Sequence, residues 1–203
     1  MKSLFDQLIE ANERLYNEAE QPLRSHGLDH HIRVWHYAQE LAKKLGVKFD
    51  EEVLAGACLL HDLAAYYPEK SGEDYHDYDH LIAGEVLEGI GFPENKRRAV
   101  LDAIKNHGSD PKFKRQNEPI ETVLLRDGDK MDVFGPVGVA RVVMVRTLKG
   151  DTLEQIVNDF LTRGHLQRKF DSITTPEARE LVKADFGYSM DFFRRLEEGL
   201  KHE

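Results

Sequence analysis

The chain has 203 residues, with 28 Lys and Arg against 37 Asp and Glu, a formal charge of -9, and 40% hydrophobic and 32% charged residues. That balance is ordinary for a globular domain of this length. An acidic surface repels a nucleic-acid backbone, so a long polyanion is excluded as the expected partner, while a small phosphorylated ligand is still admitted wherever a local cation outweighs the global field. The one cysteine, Cys58, leaves no intrachain disulfide. No stretch approaches the ~20 apolar residues of a membrane span, and the N-terminal residues lack the apolar core of a signal peptide. The expected location is therefore cytoplasmic.

Helical periodicity runs through the chain. Leu4, Phe5, Leu8, Ile9, Leu15 and Tyr16 share a stripe of a first helix with Ser3 as its N-cap. Val34, Trp35, Ala38, Leu41, Ala42 and Leu45 mark a second, stopped by Gly46. Asp50 caps a third, which the spacing carries through an apolar run from Val53 to about Leu63, followed by a loop over Pro68 to Gly72. A fourth holds Leu81, Ile82, Val86, Leu87 and Ile90 before Gly91, and a fifth holds Ala99, Val100, Ala103, Ile104 and His107 before Gly108. Ser109 to Glu118, with Lys112, Lys114 and Arg115, reads as a surface loop. Pro119 opens a sixth helix that Gly135-Pro136 breaks. Helices over about Val137–Leu148, Thr152–Leu161 and Pro176–Leu200 complete the pattern, the last capped by Thr174 or Thr175. The run Val139 to Val145 is β-rich by propensity and is assigned as helix from its length and neighbours. No alternating strand pattern or short hairpin signal appears, so the expected class is all-α.

The histidines are unevenly spread: seven of ten lie between positions 26 and 80. His26 and His30-His31 cluster at the start of the second helix, His61-Asp62 end the apolar run, and an acidic segment follows at Asp127-Gly128-Asp129-Lys130-Met131-Asp132. A carboxylate beside an imidazole at the edge of an apolar segment is buried only when paired or bound to a metal. His30 and His31 both keep phase with the buried stripe of their helix, and spacing does not choose between them. Asp127 and Asp129 are about 200° apart on a helix, and either could serve as the last ligand.

The order His26-Gly27-Xaa-Xaa-His30-Xaa-Xaa-Arg33-Val34, then Leu59-Leu60-His61-Asp62, then Asp127-Gly128-Asp129-Lys130-Met131-Asp132, then Gly135 and Gly138-Val139-Ala140-Arg141, resembles the HD superfamily of metal-dependent phosphohydrolases, in particular its small single-domain bacterial members. The resemblance spans about residues 20 to 150. It implies an all-α HD-domain bundle with a metal between core helices, and one domain over 1–203 with an N-terminal helix and a C-terminal helical extension. It places the metal ligands on His30, His61, Asp62 and Asp129, with Asp127 as a supporting residue. His80 and His107 resemble positions that hold a second metal in some members. With one metal they become acid/base or phosphate-orienting groups, which makes Asp62 and His80 the catalytic candidates. Lys130 corresponds to a phosphate contact, and Arg33 and Arg141 are further phosphate candidates.

Two imidazoles and two carboxylates favour Mn, Fe, Ni, Co or Zn over the all-oxygen cations, with one ion expected and room for a second. The expected activity is hydrolysis of a phosphoester or pyrophosphate in a nucleotide or similar small metabolite. Two rival expectations are a di-iron oxygenase of the same superfamily and a nucleotide-binding module without turnover. A homo-oligomer is compatible with the aromatic C-terminal helix.

Overall fold

The computed structural model describes residues 2–67, 75–108 and 117–201, with 75–77 as backbone only. The expected loop at Pro68–Gly72 lies outside the described residues, as do Lys112, Lys114 and Arg115 of the second expected loop. The described residues are helical with no strand among them, and no described helix is long and apolar enough to cross a membrane. They cluster into two compact units, Met1–Gly128 and Asp129–Glu203.

In the first unit, α1 (Leu4–Glu18) opens on a capping box in which the Ser3 side chain accepts from the Asp6 backbone and Asp6 accepts from that of Ser3. α2 (Leu28–Leu45) stops at Gly46, whose φ of 65° only glycine adopts without strain. α3 (Glu51–Leu60) starts from Asp50, which accepts from the N–H groups of Glu52 and Val53. Every residue from Val53 to Leu60 is buried, because α3 packs at once against α1, α2 and the later helix Glu94–Asn106. A helix hydrophobic all round has no solvent face to give. After α3 comes a 3-10 turn, Leu63–Tyr66, on which α4 (Tyr75–Gly89) lies. α5 (Glu94–Asn106) follows; its Val100 approaches α3 so closely that a Cβ on Gly56 would meet it at 3.1 Å. α6 (Ile120–Met131) begins after Pro119 and runs without a break across the unit boundary.

The second unit contains α7 (Gly135–Leu148), with Pro136 in its first turn, α8 (Leu153–Val157) continuing as a π turn over Asn158–Thr162, α9 (His165–Asp171), α10 (Pro176–Leu181) and α11 (Lys183–Leu200). α7 packs on α11, where Gly135 (φ 76°) donates its N–H to Ser189 Oγ at 3.0 Å.

Three expected elements are corrected. The third helix ends at Leu60, not near Leu63, because His61 turns extended and Asp62 enters the left-handed region at φ 58°. The single C-terminal helix is two, parted at the buried Val182 (φ -100°, ψ 8°), and α9 has no counterpart in the expected pattern. The helix expected to Leu161 widens into a π turn, where Asp159 pairs with Arg146 at 2.6 Å while Phe160 stacks on Phe193 with centroids 5.0 Å apart.

Candidate metal centre

The end of α3 organises the site. A helix leaves its last carbonyls without intrahelical partners, and here side chains supply them. Asn12 Nδ2 donates to Leu59 O at 2.7 Å, and His61 Nδ1 donates to Cys58 O at 2.8 Å. His31 Nε2 donates to His61 O at 2.5 Å, with its Nδ1 3.1 Å from Gly27 O. Tyr66 closes the ring by donating its hydroxyl to Asn12 Oδ1 at 2.8 Å. With Nδ1 committed to a carbonyl, the neutral His61 ring presents Nε2 as its lone-pair nitrogen, the tautomer that a metal ligand needs.

The doublet's second member is held by its backbone. Asp79, fully buried on α4, accepts from the N–H groups of Ala64 (2.6 Å) and Asp62, and so fixes the left-handed turn that aims Asp62. Burial, then the charge of Asp62, pushes the Asp79 carboxyl up to about 8. Burial and the neighbouring His61 push His31 down to about 3, so it stays neutral.

These constraints bring His30, His61, Asp62 and Asp129 together: one ligand atom from each lies within 4.8 Å of the others. Donors about 2.1 Å from one cation sit at most about 4.2 Å apart, so small side-chain rotations complete a coordination sphere. Two neutral imidazoles and two carboxylates balance a divalent cation, whereas two converging carboxylates alone repel by ~1–4 kcal/mol at 4 Å, depending on the effective dielectric. The residues therefore fit a divalent metal ion. α6 reaches the group because of Gly128: a Cβ there would stand 3.0 Å from Val34 O and 3.3 Å from Ala38 N, so only glycine lets α6 lie this close to α2, which carries His30. His31, equally buried, supports the His61 carbonyl instead of joining the group, and Asp127 is fully buried outside it.

His107 lies against the group, Nε2 3.8 Å from Asp62 Oδ1 and its ring 5.4 Å from that of His61, while Nδ1 donates to Ile104 O at 2.5 Å. His80 turns Nδ1 to Leu101 O at 3.4 Å. Arg33 pairs with Asp29 at 2.7 Å, Lys130 donates to Ser172 O at 2.5 Å, and Arg141 pairs with the buried Asp132. Two supporting residues escaped the sequence reading, Asp79 and Arg126. An Asp beside His80 and an Arg at the start of the acidic run were visible; Asp79 keeps phase with the buried Ile82, Ala83 and Val86, a signal that was available, whereas Arg126 carries no comparable apolar stripe.

Fold and side chains together define an all-α protein with a two-His, two-Asp candidate metal centre. The HD domain family model matches residues 27–133, and the chain belongs to the HD-domain family. The Bacillus subtilis (strain 168) protein YpgQ is 31% identical over 178 residues, covering 82% of this chain and 83% of YpgQ. The crystal structure of B. subtilis YpgQ in complex with ADP is similar at a TM-score of 0.69 and 23% identity, covering 96% of this chain and 97% of that one. An HD-superfamily hydrolase from Bacillus thuringiensis is similar at a TM-score of 0.70 and 21% identity, covering 98% and 97%. At those structural identities the likeness shows the fold alone.

Proposed function

We propose that the protein is a divalent-metal-dependent phosphohydrolase that acts on a nucleotide or a similar small phosphorylated metabolite. The observation that carries this reading is the convergence of His30, His61, Asp62 and Asp129 on one point at the end of α3. The mixed nitrogen and oxygen donors favour Mn, Fe, Ni, Co or Zn. The ADP held by YpgQ supports a nucleotide as the ligand class.

A bound cation of this kind acidifies water and polarises a phosphoryl oxygen. The chain's own residues supply the rest. Asp62, oriented through its backbone by Asp79, stands beside His107. The His107 ring donates Nδ1 to Ile104 O, so its Nε2 is the atom that takes up or releases a proton next to Asp62. Arg33, on α2 with a quarter of its side chain exposed and paired with Asp29, is assigned as a cation for the substrate phosphate. Lys130 donates to the Ser172 carbonyl, and Arg141 pairs with Asp132 of the acidic run.

The test is metal analysis of the purified chain, followed by a phosphate-release screen over nucleotides with Mn, Co and Mg. Asp62→Ala is expected to lose bound metal and to lose hydrolysis by at least about a hundredfold. Full activity or full metal content in that variant refutes the reading.

A further inference from the structure

Arg126 is fully buried, one turn before Asp129 on α6, and its guanidinium makes four hydrogen bonds. Two go to Glu118, Nη1 to Oε2 at 2.7 Å and Nη2 to Oε1 at 2.6 Å, a fork-on-fork pair with Glu118 itself only 9% exposed. The other two go to the last carbonyls of α5, Nη2 to Asn106 O at 2.6 Å and Nε to His107 O at 3.2 Å. Buried ion pairs seldom contribute much stability over an apolar pair of the same volume, so the geometry they impose is the more informative property. Here that geometry concerns one residue. The backbone of His107 is gripped by Arg126, its Nδ1 by Ile104 O, and its Nε2 is left 3.8 Å from Asp62 Oδ1.

We propose that the Arg126–Glu118 pair is the positioning device that holds His107 against Asp62. Arg126 acts through His107 and touches neither substrate nor metal. A lysine does not substitute, because a single ammonium lacks the planar fork that serves a carboxylate and two carbonyls together. The role in turnover rests on the phosphohydrolase reading above; the placement of His107 does not.

The test uses the full chain, with Arg126→Lys, Arg126→Met, Glu118→Gln and His107→Ala. In chelator-treated protein, imidazole proton–nitrogen NMR follows each ring, the His107 signals being those that vanish in His107→Ala. The expected result is that Arg126→Lys and Arg126→Met move or broaden the His107 signals and leave those of His30 and His31 in place, His61 responding only through its 5.4 Å ring contact with His107. In the phosphate-release assay, Arg126→Lys loses about a hundredfold, the low end of what a positioned acid or base supplies, and Arg126→Lys/His107→Ala is no slower than His107→Ala alone. Unmoved His107 signals overturn the proposal, as do all rings shifting together or losses that multiply in the double variant. If Arg126→Met does not fold, Arg126→Lys and Glu118→Gln decide by the same criteria. If the parent chain releases no phosphate from any nucleotide, the phosphohydrolase reading fails while the NMR result still judges the placement of His107.

Discussion

His31 and Asp79 stand on either side of the His61-Asp62 doublet and titrate in opposite directions. A free His near 6.5 that is held down to about 3 stays neutral in the folded chain, so the unfolded chain takes up the proton first. Stability from His31 is complete above pH 6.5 and falls by about 1.4 kcal/mol per unit as pH drops toward 3. Asp79, raised from 3.8 to about 8, does the reverse: the folded chain holds a proton that the unfolded chain has released, so stability falls as pH rises from 3.8 to 8. In metal-free protein the two slopes cancel between about 3.8 and 6.5. Asp79→Asn is expected to expose the His31 arm, losing stability on acidification below pH 6.5, and His31→Gln the Asp79 arm, losing stability up to pH 8. Urea unfolding between pH 3.8 and 6.5, where the two slopes cancel in the parent, with chelator present, checks both; a variant as flat as the parent in that window would refute the corresponding arm. Nearby, Tyr66→Phe strips the hydroxyl that Asn12 Oδ1 accepts, leaving a buried acceptor unsatisfied, with an expected loss of about 1–3 kcal/mol by the same measurement.

Among the elements, α6 is the one whose placement decides the centre. Gly128→Ala puts a methyl 3.0 Å from Val34 O, a backbone atom that yields only if one helix moves. The expected outcome is about 1–3 kcal/mol of lost stability together with weaker metal binding, since Asp129 then retreats from His30. Calorimetric titration of the variant with Mn or Co, beside its thermal melt, tests this; destabilisation with unchanged metal affinity would show that the α2–α6 approach is unrelated to the centre. Element ends were legible wherever a residue carries its own stop or start: Gly46 and Gly91 in left-handed geometry, Asp50 and Ser3 as caps, Pro136 in a first turn. The end of α3 was not, because no glycine or proline marks it. Leu60 is the last helical residue only because Asn12, His31 and Asp79, brought from other helices, supply partners for the backbone around the turn.

For the molecule as a whole, a metal that binds the folded chain alone must stabilise it. At a hundred times its Kd the gain is about 2.7 kcal/mol, so the melting temperature is expected to rise with Mn or Co, to return on chelation, and to stay put in His30→Ala. A parent melt indifferent to every transition metal would count against the centre. The helical class, the capped starts and the glycine stops are properties that a one-dimensional pattern carries, because helix periodicity and local hydrogen bonding need only a few neighbours along the chain. The same pattern left His30 and His31 equivalent, and Asp127 and Asp129 open, since phase on one helix says nothing of distance to another. Packing separated them: the close approach that Gly128 allows brings Asp129 to His30, and the orphaned carbonyl of His61 takes His31.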